Sequence, residues 1–254
     1  KVRCFPIEKV AKKICLAQAR IKAWRMSEAL FQKRWPVKYP DRLQLYSYPT
    51  PNGVKISIML EEIGLPYEAH RIDILKDETW TTEYLSLNPN GKSPAIDDPQ
   101  GPDGKPFVLF ESGAILLYLA EKTKKLLPHD AAKRYETIQW VFFQMAAVGP
   151  IFGQVGFFHK FAGKEFEDKR PLMRYVNESK RLLGVMEKHL TQKTWFMGDE
   201  FTIADIAHLG WVKNLIGFYE AGELVEYNKL KAVPAWLERG LNRPAVARGL
   251  TIPS

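Results

Sequence analysis

Cysteine is nearly absent from this sequence of 254 residues. The two cysteines, Cys4 and Cys15, lie close to its beginning, and no thiol follows them. A secreted domain held together by disulfides, a CxxC redox motif and a Cys-based zinc site all require thiols in the body of a protein. The sequence after residue 15 therefore excludes all three, and it excludes a cysteine nucleophile as well.

Long apolar runs are also lacking. Residues 114–120 form one of the longest, well short of the roughly 18–20 residues that a membrane-spanning helix requires. We therefore expect no membrane partner. The composition, with 46% hydrophobic and 26% charged residues, excludes fibrous, low-complexity and disordered classes. The length suits one large domain or two modest ones.

Motifs for nucleotides, metals and serine hydrolysis are missing too. Gly91-Lys92-Ser93 resembles the end of a phosphate-binding loop, but Ser86 occupies the position of the first glycine and Pro94 follows where a helix should begin. The five histidines show no ligand spacing, and no G-x-S-x-G motif is present. We expect no metal site.

Positive charge is concentrated at one end of the sequence. The net charge is +8, and residues 1–38 contain eleven Lys and Arg residues but only two acidic ones. The remainder is close to neutral, so its composition does not indicate a nucleic-acid partner. We interpret residues 1–40 as a basic N-terminal extension. It is either incidental to the body or a basic targeting or docking helix over residues 7–34.

The first part of the body, residues 41–124, predicts a small mixed sheet with helices. Strand-like alternation over residues 43–46 and 67–74 flanks a helical pattern over residues 54–62, which Gly64 ends. The later predicted elements are a short helix at 81–87, strands at 94–96 and 107–110, and a helix at 112–122 with Ser112 as its N-cap. This order is that of a thioredoxin-like α/β domain without its CxxC motif.

Strand patterns end near residue 128, and residues 130–254 predict an all-α domain. A long helix over residues 131–161 should be kinked or broken at Gly149 and Pro150. Further helices are expected at 171–190, 202–217, 234–241 and 244–250. Thr202 and Asp205 have the spacing of a capping box, which stabilises the start of a helix and indicates folding rather than catalysis.

Two segments place polar groups at the start of predicted helices. Glu111 and Ser112 precede a helix whose free N–H groups and positive dipole end suit a carboxylate, so they match the zwitterionic head of an α-amino acid. Thr50 and Asn52 lie on a turn before another helix, where their donors could stabilise an anion such as a thiolate. The alternatives are an ordinary serine cap and an ordinary Asn-Gly turn.

These pieces together resemble one family. They are TPNG at residues 50–53, NPNGKSPAI at residues 88–96 and FESGAILLYLAEK at residues 110–122, followed by an all-α half with a capping box. The combination is similar to the cytosolic glutathione transferases, and more narrowly to their nu-class, disulfide-bond-oxidoreductase-like branch. The resemblance covers about residues 41–250 and implies the glutathione transferase fold, a homodimer and a cytoplasmic location.

The resemblance implies a glutathione site in the first domain. The residue before a cis-proline pairs its backbone with the cysteinyl part of glutathione in such proteins, which implicates Ser93 and Pro94. The Glu-Ser pair holds the γ-glutamyl head, which implicates Glu111 and Ser112. Lys92 would reach the region of the glycyl carboxylate.

The resemblance also implies which residues act on the sulfur. The TPNG turn faces it in the branch named above, so we expect Thr50 and Asn52 to be catalytic. Tyr48 and Ser47 leave open the Tyr- or Ser-type mechanism of other transferase classes. Arg174 matches a basic position that can meet a second glutathione.

The function implied is glutathione-dependent disulfide reduction, because glutathione can supply the sulfur that the protein body lacks. Two glutathiones, or one glutathione disulfide, would then occupy the site. Residues 153–159 should line the acceptor side, where a small disulfide or electrophile binds. The alternatives are glutathione conjugation or peroxidase activity, and a non-catalytic glutathione-binding regulatory protein.

Overall fold

The computed structural model of this chain describes residues 34–254. Cys4, Cys15 and all but the last residue of the helix predicted at 7–34 lie outside the described residues. The strands are β1 (Leu43–Ser47), β2 (Tyr67–Arg71), β3 (Ala95–Asp98) and β4 (Phe107–Phe110). The helices among and after them are α1 (Gly53–Ile63), α2 (Thr82–Leu87) and α3 (Ser112–Thr123), with 3₁₀ turns at Ile74–Lys76, Glu78–Trp80 and Pro102–Gly104.

The four strands form one mixed sheet in the order β2-β1-β3-β4. β1 runs parallel to β2, whereas β3 is antiparallel to both β1 and β4. Leu45 of β1 pairs with Ala69 on one side and with Ile96 on the other. The predicted thioredoxin-like arrangement is confirmed, although β2 ends at Arg71, before a 3₁₀ turn takes up the last residue of the predicted strand.

The sheet is covered on both faces, as the alternation along β1 requires. Leu43 and Leu45 belong to the main hydrophobic core, which also contains the apolar residues of α1 and α3. Tyr46 points the other way and packs with Trp35 and Tyr84 in a smaller cluster. The sheet therefore presents one face to the rest of the fold and closes the other with aromatic side chains.

Helix α1 is enclosed between the sheet and the helical half of the chain. Nine of its eleven residues are buried. Ser57 Oγ donates to the carbonyl oxygen of Gly249 at 2.6 Å, and a Cβ on Gly249 would lie only 2.6 Å from the Ile58 backbone. Glycine at position 249 thus lets a C-terminal helix pack directly on the α1 backbone.

The start of α3 differs from the prediction. Ser112 is the first residue of the helix rather than its N-cap, and the cap position belongs to Glu111. Glu111 has φ 72° and ψ 109°, a conformation that costs a non-glycine residue about 1–3 kcal/mol. The Ser112 hydroxyl makes no capping bond, so it is available for other partners.

Helices make up the second half, and the all-α prediction is confirmed. The helices are α4 (Ala131–Phe143), α5 (Gly149–His159), α6 (Arg170–Leu190), α7 (Ile203–Lys213), α8 (Ala232–Leu241) and α9 (Pro244–Gly249). π turns at Gln144–Val148 and Asn214–Phe218 follow α4 and α7, and 3₁₀ turns lie at Ala162–Glu165 and Tyr227–Lys229.

The interruption expected at Gly149 and Pro150 takes the form of a π turn. Gly149 itself keeps helical angles, φ −60° and ψ −57°. Its N–H bonds to the carbonyl of Gln144, five residues back, as in a π-helix. Because Pro150 has no N–H to donate to the preceding turn, the wider π turn lets the helix continue without a break.

One helical segment is long and apolar enough to cross a membrane, judged by length and composition only. The sequence analysis did not expect such a segment. Residues Ala131–His159 run as one helical stretch of 29 residues, with a window of mean hydropathy 1.5. The sequence prediction missed this segment because it considered only uninterrupted apolar runs. The mean hydropathy of a window can be high even where glutamines interrupt the apolar residues. Of that window, 39% is buried inside the fold, and core helices of soluble proteins have the same composition.

The capping box at the start of α7 is formed as predicted. Thr202 Oγ1 accepts from the Ala204 N–H at 3.3 Å, and Asp205 Oδ2 accepts from the Thr202 N–H at 2.9 Å. Asp205 Oδ1 also accepts from the Phe196 N–H at 3.0 Å and from Trp236 Nε1 at 2.9 Å. These bonds join the start of α7 to α8 and to the segment around Phe196. Burial raises the pKa of Asp205 to about 6.

We expect Asp205→Ala to destabilise the fold more than Thr202→Ala. Losing the threonine cap should lower the free energy of unfolding by about 1 kcal/mol. Losing Asp205 leaves several buried donors without an acceptor and should cost about 3 kcal/mol or more. Urea unfolding of both variants measures the order. Thr251→Ala, at an exposed site near the C-terminus, is the control, and equal losses for the two main variants would contradict the assignment.

Candidate functional site

A cleft of about 510 Å³ lies between the sheet domain and the helical half. Its walls come from the turn before α1, the segment before β3, the start of α3, the π turn after α4, and α5 and α7. The lining residues are Asn52, Lys92, Glu111, Ser112, Gln144, Met145, Gly149, Pro150, Gly153, Gln154 and Trp211. The cleft thus brings together four of the residues predicted for the site, namely Asn52, Lys92, Glu111 and Ser112.

Asn52 is held in one orientation at the base of this cleft. Its Oδ1 accepts from Lys55 Nζ at 2.8 Å and from Trp211 Nε1 at 2.9 Å. An indole N–H and an ammonium can only donate, so the oxygen of the amide must face them. The Nδ2 group is the donor that Asn52 can then offer to a molecule in the cleft.

Thr50 shapes the turn instead of lining the cleft. Its Oγ1 accepts from the Gly53 N–H at 3.2 Å, and its own N–H donates to the carbonyl of Tyr48 at 2.6 Å. These bonds hold the residues that precede α1. Of the two residues predicted to act on the sulfur, the structure therefore brings Asn52 into the cleft wall and gives Thr50 a local role.

The alternative hydroxyls on this segment point elsewhere. The Tyr48 hydroxyl accepts from an Arg71 guanidinium N–H at 3.4 Å, and that guanidinium lies 4.8 Å from the centre of the Tyr48 ring. Ser47 is fully buried and its Oγ donates to the Tyr48 carbonyl at 3.3 Å. Neither hydroxyl belongs to the lining of the cleft.

The segment before β3 contains the cis peptide bond expected from the resemblance, between Ser93 and Pro94. Ser93 Oγ accepts from the Tyr48 N–H at 3.1 Å, which joins this segment to the end of β1. The carbonyl of Lys92 accepts from the Tyr84 hydroxyl at 2.9 Å, so the backbone is held while the Lys92 side chain is exposed at the edge of the cleft.

Glu111 and Ser112 lie where the α3 N-terminus meets the cleft. Glu111 is exposed and Ser112 is buried. Ser112 Oγ accepts from Lys55 Nζ at 3.3 Å and contacts Met145 Sδ at 3.7 Å. Glu111 has a positive φ and makes no capping bond with its side chain, so its carboxylate and the free N–H groups at the start of α3 belong to the same cleft wall.

Arg174 does not line the cleft. It lies on α6 in a second groove of about 620 Å³, which it shares with Ile151, Tyr175 and Arg181 among others. Ile151 follows Pro150 in the chain, and Pro150 lines the cleft. The two spaces are therefore on neighbouring sides of α5.

Helix α5 forms the wall expected on the acceptor side. Gly153 and Gln154 line the cleft, so a polar amide is present in this segment. Phe157 lies one turn further along and is 39% exposed, whereas Phe158 stacks on Tyr175 of α6. The acceptor wall thus passes from a small and a polar residue to an exposed aromatic ring.

Three side chains at the site were missed from the sequence. Lys55 lies beneath the cleft, and Gln144 and Trp211 line it. The available signal for Lys55 was a lone lysine in the apolar run of α1, three residues after Asn52. The signal for Gln144 was a glutamine within an apolar stretch of helix. Nothing local distinguishes Trp211 from a core tryptophan.

No metal-binding cluster of three or more His, Cys, Asp or Glu side chains is found among residues 34–254. The chemistry of the cleft is that of amide, hydroxyl, ammonium and carboxylate groups. Such an arrangement can bind a zwitterionic molecule by its ends and can stabilise a developing anion with N–H donors.

Comparison with known proteins gives a consistent result. Residues 41–121 match the sequence profile of the glutathione S-transferase N-terminal domain, and residues 150–244 match that of the glutathione S-transferase C-terminal domain. The disulfide-bond oxidoreductase YghU of Escherichia coli (strain K12) is 41% identical over 227 residues, which cover 86% of this chain and 77% of that protein.

Two solved structures are closer in sequence. A glutathione transferase family member from Pseudomonas fluorescens pf-5, with two glutathione bound, is 61% identical with a TM-score of 0.87, covering 88% of this chain and 98% of the other. A glutathione transferase from Pseudomonas putida, with one glutathione disulfide bound per subunit, is 59% identical with a TM-score of 0.87, covering 88% and 97%.

We expect Gly149→Ala to disturb the cleft wall. A Cβ at this position would lie 2.8 Å from Gln144 Nε2 and 3.3 Å from the Trp211 ring. Overpacking there should lower the free energy of unfolding by about 1–2 kcal/mol. Gly184→Ala is the control, because nothing lies within 4 Å of a Cβ on that helical glycine and alanine should add about 0.5–1 kcal/mol. Denaturant titration compares them, and a neutral Gly149→Ala would contradict the packing described.

Proposed function

Because the chain belongs to the glutathione S-transferase family, we propose that this enzyme is a glutathione-dependent disulfide-bond reductase that uses the sulfur of bound glutathione and no cysteine of its own. The proposal rests on one observation. The cleft unites an amide donor, a helix N-terminus and a carboxylate, yet none of the described residues that line it carries a thiol.

The comparisons support this choice within the family. YghU is named a disulfide-bond oxidoreductase, and the two Pseudomonas relatives hold either two glutathiones or one glutathione disulfide. Two glutathiones are the reductant and one glutathione disulfide is the product of a complete reduction. By similarity, we propose that the cleft of this chain accepts both forms.

The reaction that follows has two exchange steps. The thiolate of one glutathione attacks a sulfur of the substrate disulfide, forming a mixed disulfide and releasing one substrate thiolate, which takes up a proton. The thiolate of the second glutathione then attacks the glutathione sulfur of the mixed disulfide. Glutathione disulfide forms, and the second substrate thiol leaves. Two glutathiones are oxidised and one disulfide is reduced.

The ends of the first glutathione would be bound by the residues around α3 and β3. We assign the γ-glutamyl head to the Glu111 carboxylate and to Ser112 with the free N–H groups of α3. Ser93, before the cis-linked Pro94, would pair its backbone with the cysteinyl part. Lys92, exposed at the edge, would meet the glycyl carboxylate.

Asn52 is the group that we assign to the sulfur. Its oxygen is occupied by Lys55 and Trp211, so its N–H groups can donate to a thiolate and raise the thiolate fraction. Thr50 would contribute by holding the turn that places Asn52. The direction of the Tyr48 hydroxyl toward Arg71 favours this assignment over a tyrosine mechanism.

The family resemblance also implies a wider setting. We propose that the enzyme is a homodimer and that it acts in the cytoplasm. Its acceptor would be a small disulfide, seated against Gly153 and Gln154, with any apolar part toward Phe157. Conjugation of an electrophile uses the same thiolate and is the function to be tested against it.

We expect Asn52→Ala to lower disulfide turnover with glutathione by about 10²-fold, because one donor to the sulfur is lost. The rate is measured with a small symmetric disulfide by following the glutathione disulfide produced. Asn228→Ala, an exposed asparagine on a remote turn, should leave the rate unchanged.

Other outcomes of that assay separate the alternatives. Unchanged turnover in Asn52→Ala contradicts the catalytic assignment. Poor disulfide turnover by the wild type, with conjugation or peroxide reduction that falls in Tyr48→Phe, would favour a transferase or peroxidase. Glutathione binding with no turnover of any substrate would favour a regulatory protein.

We expect Arg174→Ala to weaken the second glutathione and spare the first. The reason is its position in the neighbouring groove, which it lines with Ile151 of α5, where a guanidinium can pair with a carboxylate of the second molecule. Calorimetric titration with glutathione gives both affinities. Lys188→Ala, at the far end of α6, is the control. If both affinities are unchanged in Arg174→Ala, the assignment of Arg174 to the second glutathione is wrong.

A further inference from the structure

Lys55 is a fully buried lysine in the middle of α1. Burying an ammonium is unfavourable unless its N–H groups are matched by acceptors. Here three oxygens surround Nζ: Gln144 Oε1 at 2.6 Å, Asn52 Oδ1 at 2.8 Å and Ser112 Oγ at 3.3 Å. Their number equals the three donors of an ammonium.

The three residues that supply these oxygens line the cleft, and so does Met145, whose Sδ lies 3.7 Å from Nζ, whereas Lys55 itself does not. Asn52 belongs to the turn before α1, Ser112 to the start of α3 and Gln144 to the π turn after α4. One buried charge therefore connects the sheet domain with the helical half directly behind the cleft wall.

The bonds to Lys55 determine which way the two amides face. An ammonium has no acceptor, so Asn52 and Gln144 both turn their oxygens to it. Gln144 Nε2 is then left buried beside Gly149, another residue of the cleft wall, where a Cβ would lie 2.8 Å from it. No hydrogen-bond partner for this nitrogen is found within residues 34–254. Ser112 accepts from Lys55 with its oxygen, and its own hydroxyl hydrogen is directed to Met145 Sδ at 3.7 Å.

We propose that Lys55 is the positioning residue of the thiol–disulfide exchange: it directs the amide N–H groups of Asn52 and Gln144 toward the glutathione sulfur. Its ammonium form, which the three oxygen acceptors favour, would also favour the thiolate. Gln144 becomes the second amide donor at the sulfur, supplied by the helical half. This inference rests on the function proposed above, but it concerns the state of the bound thiol and not the identity of the acceptor.

Burial disfavours the ammonium form of Lys55, and a nearby carboxylate favours it. Burial lowers the pKa of Lys55 well below its usual value, and the Glu111 carboxylate at the start of α3 opposes that shift. His208 of α7 is the other titratable neighbour, and burial lowers its pKa to about 3. His208 is therefore neutral near pH 7, so Glu111 is the ion that acts on Lys55.

The test is Lys55→Met in the full chain. The ultraviolet absorbance of the thiolate, followed over pH, gives the pKa of the bound glutathione thiol. We expect that pKa to rise by about one unit and kcat for the disulfide to fall about 10-fold or more, with KM for glutathione changed less than about 3-fold. Lys122→Met is the matched control, because Lys122 bonds to Asp98 away from the cleft, and it should change neither quantity.

A second variant keeps the test decisive if Lys55→Met does not fold. Gln144→Leu removes the unpartnered Nε2 group, together with one acceptor of Lys55, and should also raise the pKa of the bound thiol. In an Asn52→Ala, Gln144→Leu background, Lys55→Met should add little further loss of kcat, because the groups that it orients are gone. A merely structural lysine would lower kcat equally in both backgrounds.

The outcomes separate this inference from the proposed function. A folded Lys55→Met enzyme with an unshifted thiol and unchanged kcat overturns the role of Lys55 and leaves disulfide reduction standing. An unshifted thiol in Gln144→Leu overturns the role of the second amide. A wild-type protein that binds glutathione but reduces no disulfide overturns the proposed function, and the thiol titration still decides on Lys55. Failure to bind glutathione overturns both.

Discussion

The enclosure of α1 is the constraint on which the rest of the structure depends. This helix packs on the sheet through its apolar residues and receives α9 directly on its backbone, where Ser57 bonds to the Gly249 carbonyl. Residues 53–60 of α1 are all buried, so a polar side chain in this part of the helix has no route to water. Lys55 must therefore find its acceptors inside the protein, and it finds them in the walls of the cleft.

The same hydrogen bonds that hold the two halves of the chain together also set the geometry of the site. The π turn at Gln144–Val148 widens the helix where Gln144 reaches inward to Lys55. Trp211 reaches Asn52 from α7, the helix whose start is held by Asp205 and Thr202. The halves of the chain are thus joined at the site by polar bonds as well as by apolar packing. A change in either half alters the direction of the same donors.

Much of the fold was predictable because its signals are local. The alternation along β1, Gly64 at the end of α1 and the capping box at Thr202 all lie within a few neighbouring residues. The N-cap at Ser112 was wrong because Glu111 adopts a positive φ that residue type does not reveal. The site was predictable only in part, through segments that resemble a family. Lys55 was missed because its partners Ser112 and Gln144 are 57 and 89 residues away in sequence.

No thiol lines the cleft within residues 34–254, and this bears on how the enzyme withstands oxidants. An enzyme cysteine that is oxidised past the sulfenic state to a sulfinic or sulfonic acid is in general lost for catalysis. In this cleft the reactive sulfur would arrive with glutathione and depart with the product, so an overoxidised molecule is replaced by the next one that binds. Met145 is the sulfur that stays in the wall, and its sulfoxide is a reversible lesion. The sulfur that is most exposed to oxidation would thus belong to the exchangeable glutathione and not to the protein.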